Sequence, residues 1–188
     1  MPPSRLEMLT SEQAAARGEE VGMASTLAAL NIFRMLLRQP RAAKATAELL
    51  LELLAGRALE HRLRELVIMR IGWATGSDYE WTQHWSIAQG IFGCDAADLL
   101  AVRSWERSDR FGETERAVLA ATDETLRNGT VSPTTVARCR TALGSDDAVV
   151  ELLLAIGVWF AVSQLTRSLD VPLEDGVASW PPDGTSPP

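Results

Sequence analysis

Apolar residues recur along the chain at intervals of three and four positions, and strict apolar–polar alternation is not sustained in any segment. This spacing places apolar side chains on one face of an α-helix, whereas alternation is typical of a half-buried β-strand. The pattern predicts an all-α fold. After a first helix opened by a capping box at Thr10 and Gln13, the expected helices are Ser25–Leu37, Pro40–Leu54, Leu59–Thr75, Ser77–Gly90, Asp95–Val102, Thr114–Arg127, Pro133–Leu143 and Asp146–Leu169.

Two of these segments are apolar on nearly every side. The helix Leu59–Thr75 is expected to run through the middle of the fold, so that Glu65 and Arg70 within it need polar partners. An arginine such as Arg70 or Arg167 is the expected partner of Glu65. The helix Asp146–Leu169 is the most apolar segment, which indicates either the core partner of the Leu59 helix or a subunit interface.

Length and composition favour one soluble domain over residues 1–170. A chain of 188 residues is long enough to bury a core without disulfides or metals. The segment 171–188 is rich in proline and is expected to be an extended C-terminal arm or a disordered tail. The net charge of −7 and the sequence pI near 4.9 argue against a nucleic-acid partner, which would require a basic face.

A cytoplasmic location is expected, without a membrane partner. The start of the chain lacks the apolar region of a signal peptide. The longest charge-free run, 152–166, is shorter than the roughly 20 residues of a membrane span. The two cysteines, Cys94 and Cys139, form no C-x-x-C pair, so neither a dithiol centre nor a zinc site is expected.

The most informative stretch lies between residues 65 and 89. If a helix begins at Ser77, then Ser77, Glu80 and His84 share one of its faces. A carboxylate one turn from an imidazole can fix its tautomer and favour its charged form, which suits general acid/base chemistry. Apolar walls would exclude water and raise the pKa values of the carboxylates; the candidates are Trp73, Tyr79, Trp81 and Trp85.

Each of these residues also has a structural interpretation. Ser77 and Glu80 have the spacing of a capping box, in which both groups serve only the helix end. A single histidine on an amphipathic helix is more often a hydrogen-bonded structural residue than a catalyst. Tryptophan clusters usually belong to the core. Spacing alone leaves these alternatives open.

The same stretch resembles the signature of the carboxymuconolactone decarboxylase and alkylhydroperoxidase AhpD-like superfamily. In that signature a glutamate on one helix precedes a C-x-x-C-x-x-x-H motif at the start of the next. Glu65 stands at the glutamate position, Ser77 and Glu80 at the two cysteine positions, and His84 at the histidine position. The resemblance extends over roughly residues 30–175 and implies an AhpD-like helical domain of about seven to eight helices.

The substituted cysteines identify the chain with a branch that lacks the dithiol, because a peroxidase of this type needs a thiolate nucleophile. The resemblance implies a cofactor-independent enzyme without a metal, in which His84, Glu80 and Glu65 carry out a decarboxylase, isomerase, lyase or cyclase step. A small carboxylate- or lactone-type substrate would contact Ser77, Tyr79, Trp73 and Trp81, with Arg70 or Arg62 holding its anionic group. The alternatives are a non-catalytic helical ligand-binding or assembly protein and, less favoured, a thiol peroxidase using Cys94 or Cys139.

A homo-oligomer is also expected. The last helix carries apolar residues on more faces than one core contact buries, and relatives of this type form trimers and hexamers. A trimer, or a dimer or hexamer built from the same contacts, is predicted. Trp180 in the proline-rich arm would be an anchor on a neighbouring subunit.

Overall fold

The computed structural model describes residues 4–188, and this part of the chain is helical without a β-strand, which confirms the all-α prediction. Within it, seven helices have ten or more residues. In chain order the elements are α1 (Ser11–Glu20), α2 (Ser25–Ala28), α3 (Asn31–Leu36), α4 (Pro40–Ala55), α5 (His61–Thr75), α6 (Asp78–Gly90), α7 (Ala96–Ala101), a 3₁₀ helix (Val102–Arg107), α8 (Glu113–Asn128), α9 (Pro133–Leu143) and α10 (Asp146–Ser168).

The chain packs into two compact units. The first comprises the described residues up to Ala55 together with Leu165–Val177, and the second comprises Gly56–Gln164 together with Ala178–Pro188. The predicted division into a domain over 1–170 and a tail from 171 stays a prediction. Part of the tail belongs to the first unit and its end belongs to the second.

In the first unit, the helix predicted over Ser25–Leu37 is broken into α2 and α3, so that prediction is wrong in its continuity. Leu30, between them, has an extended backbone with ψ of 139°. The break is stabilised by tertiary hydrogen bonds. The Asn31 side-chain amide donates to the carbonyls of Pro172 and Leu173, both at 3.1 Å, and its backbone N–H donates to Glu174 at 3.0 Å. These bonds replace the helical bonds that the break removes.

In the second unit, α5 is the central helix. It packs against α6, α7, α8 and the 3₁₀ helix, and its residues from Leu63 to Met69 are all buried. Gly72 allows α6 to approach closely, because a Cβ at this position would lie 3.0 Å from the backbone nitrogen of Trp81. A larger residue would require the backbone of α6 to give by a few tenths of an ångström.

The corner between α5 and α6 follows the predicted stop and start signals. Gly76 has the left-handed conformation, with φ of 70°, and the Ser77 N–H donates to the Gly72 carbonyl at 2.8 Å. This is the Schellman arrangement that ends helices. Ser77 then caps α6, since its hydroxyl accepts a 3.4 Å hydrogen bond from the Glu80 N–H.

The helix predicted over Asp95–Val102 is α-helical only to Ala101 and continues as a 3₁₀ helix to Arg107. Ser104 interrupts its regular geometry with φ of −142°. The Arg70 guanidinium donates hydrogen bonds to the carbonyls of Val102 and Arg103, at 3.0 and 3.4 Å. This side chain on α5 therefore satisfies carbonyls at the point where the α-helix ends.

The last helix, α10, is 23 residues long, and its most apolar 18-residue window has a mean hydropathy of 2.0. By length and composition it is the one helix within residues 4–188 that could cross a membrane. Of that window, 44% is buried inside the fold, and the core helix of a soluble protein meets the same criteria. The finding is therefore weak support for a membrane span.

An apolar stripe on α10 remains exposed. Val150, Leu153 and Leu154 are 57%, 38% and 49% exposed, and a Cβ added to Gly157 would meet open space. These positions recur at helical spacing, so they share one face. The predicted homo-oligomer stays a prediction, and this stripe is the surface on which it depends.

Light scattering at low micromolar concentration is expected to give a multiple of the 20.5 kDa chain mass. Leu154→Glu is expected to shift the mass toward the single chain, because a carboxylate in an apolar contact is strongly desolvated. Leu51→Glu is the matched control, since Leu51 on α4 is similarly exposed, at 48%. A wild-type mass of 20.5 kDa would contradict the predicted oligomer.

Candidate active site

The centre of the site is a buried hydrogen bond between α5 and α6. Glu65 Oε2 lies 2.8 Å from His84 Nδ1; the glutamate side chain is fully buried and the histidine side chain is 8% exposed. Because Gly72 has no side chain, α5 and α6 can approach closely enough for this contact. The structure thus brings two of the predicted catalytic residues into direct contact.

The other nitrogen of His84 is also engaged. The indole Nε1 of Trp159, on α10, lies 3.0 Å from His84 Nε2. An indole N–H can only donate, so Nε2 must accept and Nδ1 must carry the proton that is donated to Glu65. The contacts therefore define the neutral Nδ1–H tautomer of His84. Trp159 was not predicted, because nothing in the sequence connects it to a histidine 75 positions earlier.

Arg64 balances the charge of Glu65, which corrects the prediction that Arg70 or Arg167 does so. Its guanidinium is fully buried and lies 3.4 Å from Glu65 Oε1. It also lies 2.9 Å from His61 Nδ1 and 4.6 Å from the centre of the Phe92 ring. Burial of both charges is compatible with stability only because they are paired.

Glu80 is buried beside this pair but makes no comparable bond. It is 4% exposed, and within residues 4–188 no hydrogen bond reaches its carboxylate. The backbone N–H that a capping box would offer it, that of Ser77, is bonded to Gly72 instead. The capping-box interpretation therefore holds for the Ser77 hydroxyl and fails for the Glu80 carboxylate.

The surroundings shift the pKa values of both titratable groups on α6. Burial raises the pKa of Glu80 to about 7, the positive charge of His84 opposes this rise, and the Glu65 carboxylate adds to it. Burial lowers the pKa of His84. The charge and hydrogen bond of Glu65, with a contribution from Glu80, outweigh that effect, so the pKa of His84 is raised overall. Protonation at Nε2 would break the Trp159 hydrogen bond.

The raised pKa of Glu80 predicts how stability depends on pH. A carboxyl with a pKa of about 7 in the folded state and 4.5 in the unfolded state stabilises the fold below pH 4.5, and this stabilisation is lost as the pH rises to about 7. The loss is about 3 kcal/mol. The free energy of unfolding, measured by urea denaturation from pH 4.5 to 8, should fall by this amount more in the wild type than in Glu80→Gln. Parallel curves would contradict the pKa assignment.

The predicted anion-binding arginines are committed elsewhere, which corrects their proposed role. Arg70 forms a bidentate ion pair with Asp123, at 2.7 and 2.9 Å, and Arg62 pairs with Asp98 and Glu115. Neither guanidinium remains available for a substrate in this arrangement.

The aromatic residues that were predicted to form the walls of the site do not form one group. Tyr79 is buried on α6, but Trp73 and Trp81 pack against each other and against Trp180 from the end of the chain, and Trp85 stacks on Trp81. The indole that contacts His84 is that of Trp159. The rise in pKa expected for a carboxylate is present at Glu80, with burial as its largest cause.

The two cysteines are unsuited to thiolate chemistry. Both are buried, and burial raises the pKa of Cys94 and that of Cys139 to about 11. At neutral pH the reactive thiolate is therefore scarce. Within the described residues, no group of three or more His, Cys, Asp or Glu side chains is arranged to hold a metal ion.

In this all-helical fold, two consecutive helices bring a glutamate and a histidine into contact. Residues 40–124 match the model of the carboxymuconolactone decarboxylase family. This match confirms the predicted resemblance to the carboxymuconolactone decarboxylase and AhpD-like superfamily. No curated protein matched the chain.

Solved structures share the fold at low identity. A peroxidase-related protein with an alkylhydroperoxidase AhpD core from Ralstonia eutropha JMP134 has a TM-score of 0.74 and 13% identity, over 99% of each chain. A peroxidase-related protein from Silicibacter sp. TM1040 has a TM-score of 0.71 and 14% identity, over 94% of this chain and 95% of the other. A variant of the debrominase Bmp8, in complex with 2,3,4-tribromopyrrole, has a TM-score of 0.68 and 18% identity, over 87% of this chain and 85% of the other.

Proposed function

We propose that the chain is a cofactor-independent general acid/base enzyme that moves protons on a small carboxylate- or lactone-type substrate. The observation that carries this proposal is the Glu80 carboxylate, which is buried without a hydrogen-bond donor among the described residues and has a pKa of about 7. A group with a pKa near the working pH transfers protons in both directions. The family match and the debrominase fold support a catalytic protein.

In the proposed reaction Glu80 and His84 have complementary roles. One accepts a proton from a substrate carbon, whose bonding electrons remain as an enolate, and the other returns a proton. In a decarboxylation, the bond between the substrate carbon and its carboxylate breaks and carbon dioxide leaves. The electron pair of that bond stays on the substrate carbon, which then takes up a proton. Glu65 orients His84 through Nδ1, as a carboxylate does in other acid/base pairs.

Trp159 is expected to be a positioning residue in this scheme. Its N–H occupies His84 Nε2, the nitrogen that a substrate would need. A substrate with a hydrogen-bond donor at that place can replace the indole without leaving Nε2 unpaired. The alternative is a non-catalytic protein in which these residues form a structural hydrogen-bond network. Such a protein would also have both ring nitrogens of His84 hydrogen-bonded, so a measurement of enzymatic activity distinguishes the two.

Incubation with a panel of small carboxylates and lactones in D₂O tests the proposal. Proton NMR would detect replacement of a substrate C–H by deuterium, or loss of carbon dioxide, without any added cofactor. Exchange that disappears in His84→Asn supports the proposal. Exchange that is equal in wild type and His84→Asn would reject it.

A cytoplasmic location and a trimeric, dimeric or hexameric assembly remain part of the proposal.

A further inference from the structure

Arg103, in the 3₁₀ helix, lies over the faces of two tryptophan rings that are in contact with each other. Its guanidinium carbon is 4.7 Å from the ring centre of Trp73 and 4.8 Å from that of Trp81. The side chain is 15% exposed, and its Nε is buried with no hydrogen-bond partner among the described residues. A guanidinium held against indole faces has little hydration, and therefore attracts a carboxylate more strongly than a surface arginine does.

The end of the chain fills the space in front of this arginine. We call residues 178–188 the arm. Asp183 in the arm accepts two parallel hydrogen bonds from Arg103, at 2.8 and 3.0 Å. The Trp180 ring lies 6.0 Å from both Trp73 and Trp81. The arm thus presents one aromatic ring and one carboxylate to the same group of side chains.

The arm is held by polar contacts at its surface. The Ser179 hydroxyl and the Trp180 N–H donate to Asp78, and the Trp81 indole donates to the Pro181 carbonyl at 2.7 Å. The Asp183 side chain is 45% exposed. Trp180 has φ of 52°, in the left-handed region that bulky residues adopt only under strain. Polar contacts that are exposed or only partly buried, together with local strain, are typical of a segment that can detach.

We propose that Arg103 and the surrounding indoles form a binding site for a small aromatic carboxylate, and that the arm occupies this site as an internal competitor. A bidentate contact to the guanidinium selects a carboxylate, and the indole faces select a flat ring. The Arg103 guanidinium holds the pKa of Asp183 well below its usual range, so the competing carboxylate stays charged at neutral pH. This site does not depend on the chemistry proposed for Glu80 and His84.

The test is a calorimetric titration of full-length variants with sodium benzoate. Asp183→Asn should bind benzoate at least about tenfold more tightly than the wild type, since the amide competes poorly for the guanidinium. Asp175→Asn is the matched control: it removes one carboxylate from an exposed position and should bind like the wild type. Benzyl alcohol, which has the ring without the charge, should bind much more weakly.

Two further variants keep the test decisive. Arg103→Met in the Asp183→Asn background should abolish binding, and Arg103→Lys should weaken it, because lysine lacks the planar fork. Near-ultraviolet circular dichroism would verify that the tryptophans remain packed. The proposal is overturned if Asp183→Asn binds benzoate no more tightly than wild type, or if Arg103→Lys binds as tightly as its parent.

Discussion

Glu80→Gln is expected to lower turnover by about 10²- to 10⁴-fold, which is the usual contribution of a general acid or base. Glutamine has nearly the same shape, and its backbone N–H keeps the hydrogen bond to the Ser77 hydroxyl. Only the titratable proton is lost. The variant should therefore fold normally, and above pH 7 it should be more stable than the wild type.

Turnover and urea denaturation measured on the same preparations would check this result. Glu113→Gln is a suitable control, because Glu113 is an exposed carboxylate in the first turn of α8 and lies in another helix. It should leave turnover unchanged. A Glu80→Gln enzyme with full turnover would show that the carboxylate takes no part in the reaction.

Arg64→Met is expected to lower the free energy of unfolding by about 3–5 kcal/mol, the range found when one member of a buried ion pair is removed. The methionine keeps most of the apolar stem. Glu65, however, would remain fully buried without the guanidinium, and its hydrogen bond to His84 would remain. The pKa of His84 should rise further, because the Arg64 charge now lowers it.

The double variant Arg64→Met/Glu65→Gln separates charge from packing. It should recover part of the lost stability, since no unpaired charge is then buried. Arg140→Met is the control for an exposed pair: Arg140 and Asp146 are 68% and 69% exposed, and such pairs contribute little. A double variant less stable than Arg64→Met would show that packing, and not the buried charge, causes the effect.

Local signals were sufficient for much of this fold and for the site at the helix corner. The stop at Gly76 and the cap at Ser77 depend only on neighbouring residues, and they place Glu80 and His84 on α6 as predicted. The break before Asn31 depends on partners 141 and 142 positions away, beyond the reach of any local pattern. The same is true of Trp159.

Arg64 was overlooked for a different reason. Adjacent residues on a helix point about 100° apart and do not normally contact each other, so helix geometry predicts a partner for Glu65 at other positions. The long arginine side chain instead folds back within the core. The contacts of the end of the chain with Asp78, Trp81 and Arg103 join residues that are 80 to 102 positions apart, so no local pattern predicts them.

The close contact at Gly72 affects how relatives of this chain can be recognised. A side chain at this position would require the backbone of α6 to shift relative to α5, the two helices that carry His84 and Glu65, although the glycine itself performs no chemistry. A search that requires the cysteine pair passes over such chains. The pattern E-x6-G-x4-S-x2-E-x3-H, which is read directly from Glu65 to His84, combines the proton-transfer groups with the residue that keeps them within reach. It would gather thiol-free relatives from genome sequences by their geometry.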